Sequence, residues 1–121
     1  MRKVLTLAAA VAALAGGARA EDDAARQANK DDVRCALAMT VIMKDDAYRQ
    51  SATVGLYYFV GRIEARDPNL DLAQSMRREA AAMQNSQWQG EIQRCGAALQ
   101  AKTKDLEDLK GAFGARGVGR R

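Results

Sequence analysis

The chain has 121 residues, 28% of them charged and 48% hydrophobic, with a formal net charge of +4 and no histidine. The missing histidine excludes serine–histidine and cysteine–histidine catalysis, histidine zinc sites and covalent haem attachment through C-x-x-C-H. The positive charge belongs to the ends: the body Glu21–Lys110 keeps 13 basic and 15 acidic residues, a net of −2, because Arg2, Lys3, Arg19, Arg116, Arg120 and Arg121 lie outside it. A folded nucleic-acid binder concentrates basic charge on its domain surface, so nucleic acid is not an expected partner.

The N-terminus has the grammar of a targeting segment. Arg2 and Lys3 form a positive n-region, Val4 to Ala15 an apolar h-region, and Ala18-Arg19-Ala20 an A-x-A cleavage site ahead of acidic Glu21. The apolar run falls short of the ~20 residues a membrane span requires. No cysteine follows the cut to carry a lipid. Residues 1–20 are therefore expected to be a cleavable signal peptide, leaving an exported, periplasmic chain without a stable membrane anchor.

Residues 21–110 are long enough for one small domain and too short for two. Glu21 to Lys30 is polar and alanine-rich and is expected to be loose. A first helix is expected from Asp31, with Asp31 or Asp32 as cap and dipole partner. Its apolar residues fall on two stripes, Val33, Ala36, Leu37, Thr40 and Val41 on one side and Cys35, Ala38, Met39 and Ile42 on the other, so this helix should be largely enclosed. Lys44 to Arg49 reads as a turn, with Asp46 capping the second helix.

Ser51 to Arg66 holds half of the six aromatic residues, in Tyr57, Tyr58 and Phe59. Leu56 to Val60 between Gly55 and Gly61 has strand composition, but no second strand exists to pair with it, and the helix is the better reading. In that helix Ala52, Leu56, Phe59, Val60 and Ile63 form one stripe and Val54, Tyr58 and Gly61 lie roughly opposite. This is expected to be the central helix, with neighbours on two sides. Gly55 and Gly61 either permit close backbone approach or weaken the helix by about 1 kcal/mol each relative to alanine. Pro68 ends it.

A third helix, capped by Asp67 or Asn69 and running to about Asn85, carries Leu72, Ala73, Met76, Ala80 and Met83 on one face and is expected to be peripheral. Ser86-Gln87-Trp88-Gln89 matches a capping box opening a fourth helix, whose buried stripe is Trp88, Ile92, Cys95, Leu99 and Leu106. Residues 111–121, GAFGARGVGRR, have no period and are expected to form a disordered basic tail.

Two cysteines in an exported chain read as one disulfide, Cys35–Cys95, joining first helix to last. No C-x-x-C spacing favours a redox-active pair. The remaining chemistry is thin. Asp31-Asp32, Asp45-Asp46 and Glu64 with Asp67 are carboxylate candidates that read better as caps. Met39 and Met43, at i and i+4, suit soft copper(I) but read better as core. Tyr57, Tyr58 and Arg62 form a candidate binding surface, since tyrosine and arginine carry much interface energy; the plainer reading packs the tyrosines with their hydroxyls at the rim.

The arrangement of an early cysteine, the segment G-L-Y-Y-F-V-G-R followed by D-P, and a second cysteine in the last helix resembles a group of small exported alphaproteobacterial proteins, of the sphingomonad type, without assigned role. In size and plan the chain is also similar to HdeA-like acid-stress chaperones and Tai-type immunity proteins. The expected fold is all-α, a bundle of about four helices with one disulfide. The expected function is binding, to another protein or to itself, without enzymatic activity, metal or cofactor. An acid-stress chaperone, an immunity protein against a secreted toxin and a self-assembling envelope component are the alternatives that the resemblances and the composition leave open.

Overall fold

A computed structural model describes residues 8–115, with side chains from 17 to 112. Among these residues the elements are α1 (Ala8–Ile42), α2 (Arg49–Arg66), α3 (Leu72–Ala82), a 3₁₀ turn (Asn85–Gln87) and α4 (Trp88–Ala115). No strand occurs among them, so the aromatic run Leu56–Val60 is helical. The fold is an all-α bundle closed by the Cys35–Cys95 disulfide, whose Cα atoms lie 5.4 Å apart.

The helix that touches each of the others is α1, not α2. The sequence expectation put α2 at the centre on the strength of its aromatics, but centrality follows from side chains that admit neighbours on every side. Within α1, Asp32, Val33 and all residues from Cys35 to Met39 are buried, and the small Ala36 and Ala38 let partner helices approach closely. Phe59 and Ala52 of α2 pack into this segment, with Ile92 and Leu99 of α4 and Met76 of α3 at its edges, and Ile63 of α2 is buried as well. Contacts of Arg66 with Asn29 and of Gly55 with Met39 set α2 antiparallel to α1.

Helix α1 also begins far earlier than Asp31. The alanine-rich stretch before it contains no residue that stops a helix, so the helix runs through Glu21–Lys30 rather than fraying there. Asp31 and Asp32 are consequently mid-helix and cap nothing: Asp31 accepts a hydrogen bond from Gln27 at 2.9 Å, and Asp32 is buried. Residues 17–27, which include the expected cleavage positions Ala18 and Ala20, form an exposed helical arm. Residues 1–7 of the expected signal peptide lie outside the described residues. No helix among the described residues is long and apolar enough to cross a membrane.

Three caps also fall elsewhere than expected. Asp46 pairs with Arg49 and Asp45 Oδ1 accepts from the Ala47 N–H at 2.9 Å, while Tyr48 stands at the α2 N-cap without a side-chain bond. Asp71, not Asp67 or Asn69, caps α3 by accepting from the Gln74 N–H at 2.8 Å. The capping box is Gln84 with Gln87, two residues ahead of the expected Ser86 with Gln89; the Gln84 N–H donates to Gln87 Oε1 at 2.8 Å. At the far end of α2, Asp67 donates its N–H to the Ile63 carbonyl ahead of Pro68, as the proline predicts.

Helix α4 crosses α1 at the disulfide and then outruns its neighbours. Every described residue from Gln100 to Ala112 is exposed, and Leu106, expected on the buried stripe, is 58% exposed. The period that marks Trp88, Ile92, Cys95 and Leu99 continues past the point where another helix is there to receive it. Helix also continues through Gly111–Ala115, where irregular chain was expected; residues 116–121 of that tail lie outside the described residues.

Candidate functional site

The inner face of α2 is spent on α1, and among the described residues no helix packs against its outer face. Val54 and Tyr57, one turn apart, are 65% and 73% exposed, Tyr48 stands exposed just before the helix, and a β-carbon at Gly61 would meet nothing within 4 Å. Val54 and Gly61 were expected to face a second neighbour; the structure gives them solvent. Beside this face lies a groove of about 480 Å³, walled on one side by Ala47, Ser51 and Val54 and on the other by Leu99 and Thr103 of α4. Gly55 also lines it, and a larger residue at that position would have to displace the Met39 and Leu99 side chains.

The three residues proposed from sequence as a binding surface are divided by the fold. Tyr58 and Arg62 are brought together: Arg62 Nη1 donates to the Tyr58 hydroxyl at 3.1 Å, with the guanidinium carbon 5.5 Å from the ring centre. Tyr58 in turn meets Phe59 edge to face, ring centres 5.1 Å apart, which anchors the pair to the core. Tyr57, which shares none of these contacts, is the freely exposed residue of the three. The sequence reading missed Val54, whose one signal is its place opposite the apolar stripe.

Arg62 belongs to a polar knot that locks α2 onto α1. Its Nε lies 3.0 Å from Asp32 Oδ2, and Arg66 also pairs with Asp32 while donating to Asn29 Oδ1 at 2.8 Å and to the Ala28 carbonyl at 3.2 Å. The hydrogen bond to Tyr58 holds the Arg62 guanidinium above its ordinary pKa, helped by the Asp32 charge and opposed by partial burial. On the other side of α1, Arg34 bridges Glu79 of α3 at 2.8 Å and Glu91 of α4 at 3.4 Å, and its bond to Glu79 raises it above the ordinary value as well. Arg94 adds a bond to Glu91 at 2.9 Å and one to the Asp31 carbonyl at 3.0 Å.

Of the other candidates from sequence, Glu64 is exposed and makes no hydrogen bond or ion pair among the described residues, and the rest have structural partners. Asp31, Asp45, Asp46 and Asp67 are engaged in the local bonds and pairs of helix and turns. Met39 is buried against Gly55, and Met43 packs at the margin of the same core. Cys35 and Cys95 are both fully buried, so the sulfurs serve as a staple with no access for a redox partner in the folded state. No family model matches the chain, and neither a curated protein nor a solved structure matches it.

Proposed function

We propose that the protein is an exported, periplasmic interaction protein without enzymatic activity, which binds another protein through the outer face of α2. The observation that carries this reading is the exposure of Val54 and Tyr57 on a helix whose other side is held rigidly by the Asp32–Arg62–Arg66 knot and the core. A tyrosine and an aliphatic residue on a pre-ordered surface offer apolar contact area at little entropic cost, next to a groove that can take a partner side chain. Export is supported by the n-region, h-region and A-x-A pattern, by the disulfide, and by the exposure of residues 17–20, so that a cut after Ala20 passes through an exposed helical arm.

The test is affinity recovery from the cell envelope of the producing organism, with native protein and with Tyr57→Ala plus Val54→Ser side by side. A partner retained by the native protein and lost by the variant, with the helical spectrum unchanged, supports the reading. Equal recovery by both would remove the α2 face from consideration. A second reading, self-association, is favoured by Leu106 and Leu109, 58% and 51% exposed on the overhanging part of α4. Sedimentation of the native protein decides it, since a monomer at all accessible concentrations excludes self-assembly.

A further inference from the structure

A second cleft lies on the opposite flank of the molecule, between α1, α3 and the turn after α2, with a volume of about 380 Å³. Arg26 and Lys30 line it from α1 and Arg78 from α3. Three cations from two helices thus converge on one cleft of a body whose net charge is −2. Lys30 and Arg78 make no ion pair among the described residues, and Arg26 has only Asp23, one turn back on its own exposed helix. Of the two carboxylates in the lining, Glu79 is already held by Arg34 at 2.8 Å. Asp67 Oδ1 lies 3.3 Å from the Asn69 N–H. The local field therefore favours an anion.

The rest of the lining defines what kind. Val33, almost completely buried, and Leu70 form an apolar base, and the Ser75 hydroxyl adds a hydrogen-bonding group at the wall. Arginine presents a planar fork that matches phosphate oxygens, and lysine adds a mobile point charge. The apolar base leaves room for a small organic body beneath the charged head.

We propose that this cleft binds a phosphate group carried on a small, partly apolar body, held by Lys30 and Arg78 with Arg26 at the rim. The phosphate could belong to a soluble metabolite or to a lipid headgroup, and the experiment separates the two. The protein as its producing cell leaves it, with its ends defined by intact mass and its disulfide closed, is titrated with inorganic pyrophosphate while backbone amide resonances are followed. Saturable shifts are expected at Asn29, Lys30, Ser75 and Arg78, with no response at Tyr57. Lys30→Gln with Arg78→Gln should weaken binding by about tenfold or more, as expected for losing two charge-assisted contacts.

Arg77→Gln removes the same charge from the adjacent residue of α3, which does not line the cleft, and should leave binding close to native. Parallel titrations use vesicles of phosphatidylglycerol in phosphatidylcholine, and phosphatidylcholine alone. Saturation by pyrophosphate assigns the site to soluble phosphates. Binding only to the anionic vesicles, with the same dependence on Lys30 and Arg78, assigns it to a headgroup. No saturable response to either probe overturns the proposal, and so does an Arg77→Gln effect as large as that of Lys30→Gln with Arg78→Gln.

Discussion

A β-carbon added at Gly55 would stand 2.7 Å from the Met39 Sδ and 2.8 Å from a methyl of Leu99. At this position side chains from α1 and α4 both press on the backbone of α2, which explains why α2 tolerates a residue that weakens helices. Gly55→Leu is expected to destabilise the fold by about 1–3 kcal/mol through overpacking. Gly61, on the same helix with open space around it, should behave oppositely, with Gly61→Ala adding about 0.5–1 kcal/mol. Urea midpoints of the two variants, compared with the native protein, check both signs; equal shifts would mean that Gly55 is not a packing glycine.

The carboxylate of Asp32 is 5% exposed and is met by two arginines. Asp32→Asn should cost about 1–3 kcal/mol, less than a fully buried ion pair because the Arg62 and Arg66 side chains remain 41% and 27% exposed and can turn to water. Asp46→Asn, which breaks a pair with both partners mostly exposed, is expected to stay within about 0.5 kcal/mol. Thermal or chemical unfolding of the two variants is the check. A large effect at Asp46 and none at Asp32 would mean that the knot between α1 and α2 does not hold in solution.

Closing a loop with a sequence separation of 60 stabilises a fold by about 4 kcal/mol if chain entropy alone acts. Cys35→Ala with Cys95→Ala should lose up to that amount, seen as a lower urea midpoint. Because both sulfurs are fully buried, dithiothreitol should reduce the folded protein far more slowly than the same protein in concentrated urea. Equal rates would place the bond at the surface.

Arg34 and Arg62 are both held above the ordinary guanidinium pKa. A group whose folded pKa is raised contributes stability that is complete below its unfolded pKa and is lost only as pH rises past the folded one, so these two contributions stay intact to strongly alkaline pH. With no histidine and no free cysteine, no ordinary side chain titrates between about pH 6 and pH 8. Unfolding midpoints across that interval should agree; a marked slope would reveal a titrating group that the geometry does not supply.

The helical period of 3.6 residues placed Ala52, Phe59 and Ile63 in the core correctly, and the isolated pair of cysteines marked the two ends of the staple. Asp32 was misread because capping rules are local and see only an aspartate ahead of an apolar stretch, whereas its partner Arg66 is 34 residues away. Leu106 was misread for a related reason: a period marks which face of a helix is apolar but not where the neighbouring helix stops. Tyr57 and Tyr58 are adjacent in sequence and alike in chemistry, and only the direction of α2 against α1 separates the one that packs from the one that is free. The cleft lined by Lys30 and Arg78 has no sequence signature, because it exists only once α3 is laid beside α1.

The Cys35–Cys95 bond also gives the molecule a covalent topology. Chain between the two sulfurs, which holds all of α2 and α3, is a closed ring, while the exposed stretches 17–27 and 100–112 are linear branches leaving it. A peptide bond cut inside the ring keeps its fragments tethered, and the nick adds a water without releasing mass; a cut in either branch sheds a piece. Trimming of the two branches therefore has an asymmetric consequence, shortening the molecule from both ends and taking Arg26 from the rim of the α1–α3 cleft, while the part that carries the α2 face remains one covalent body.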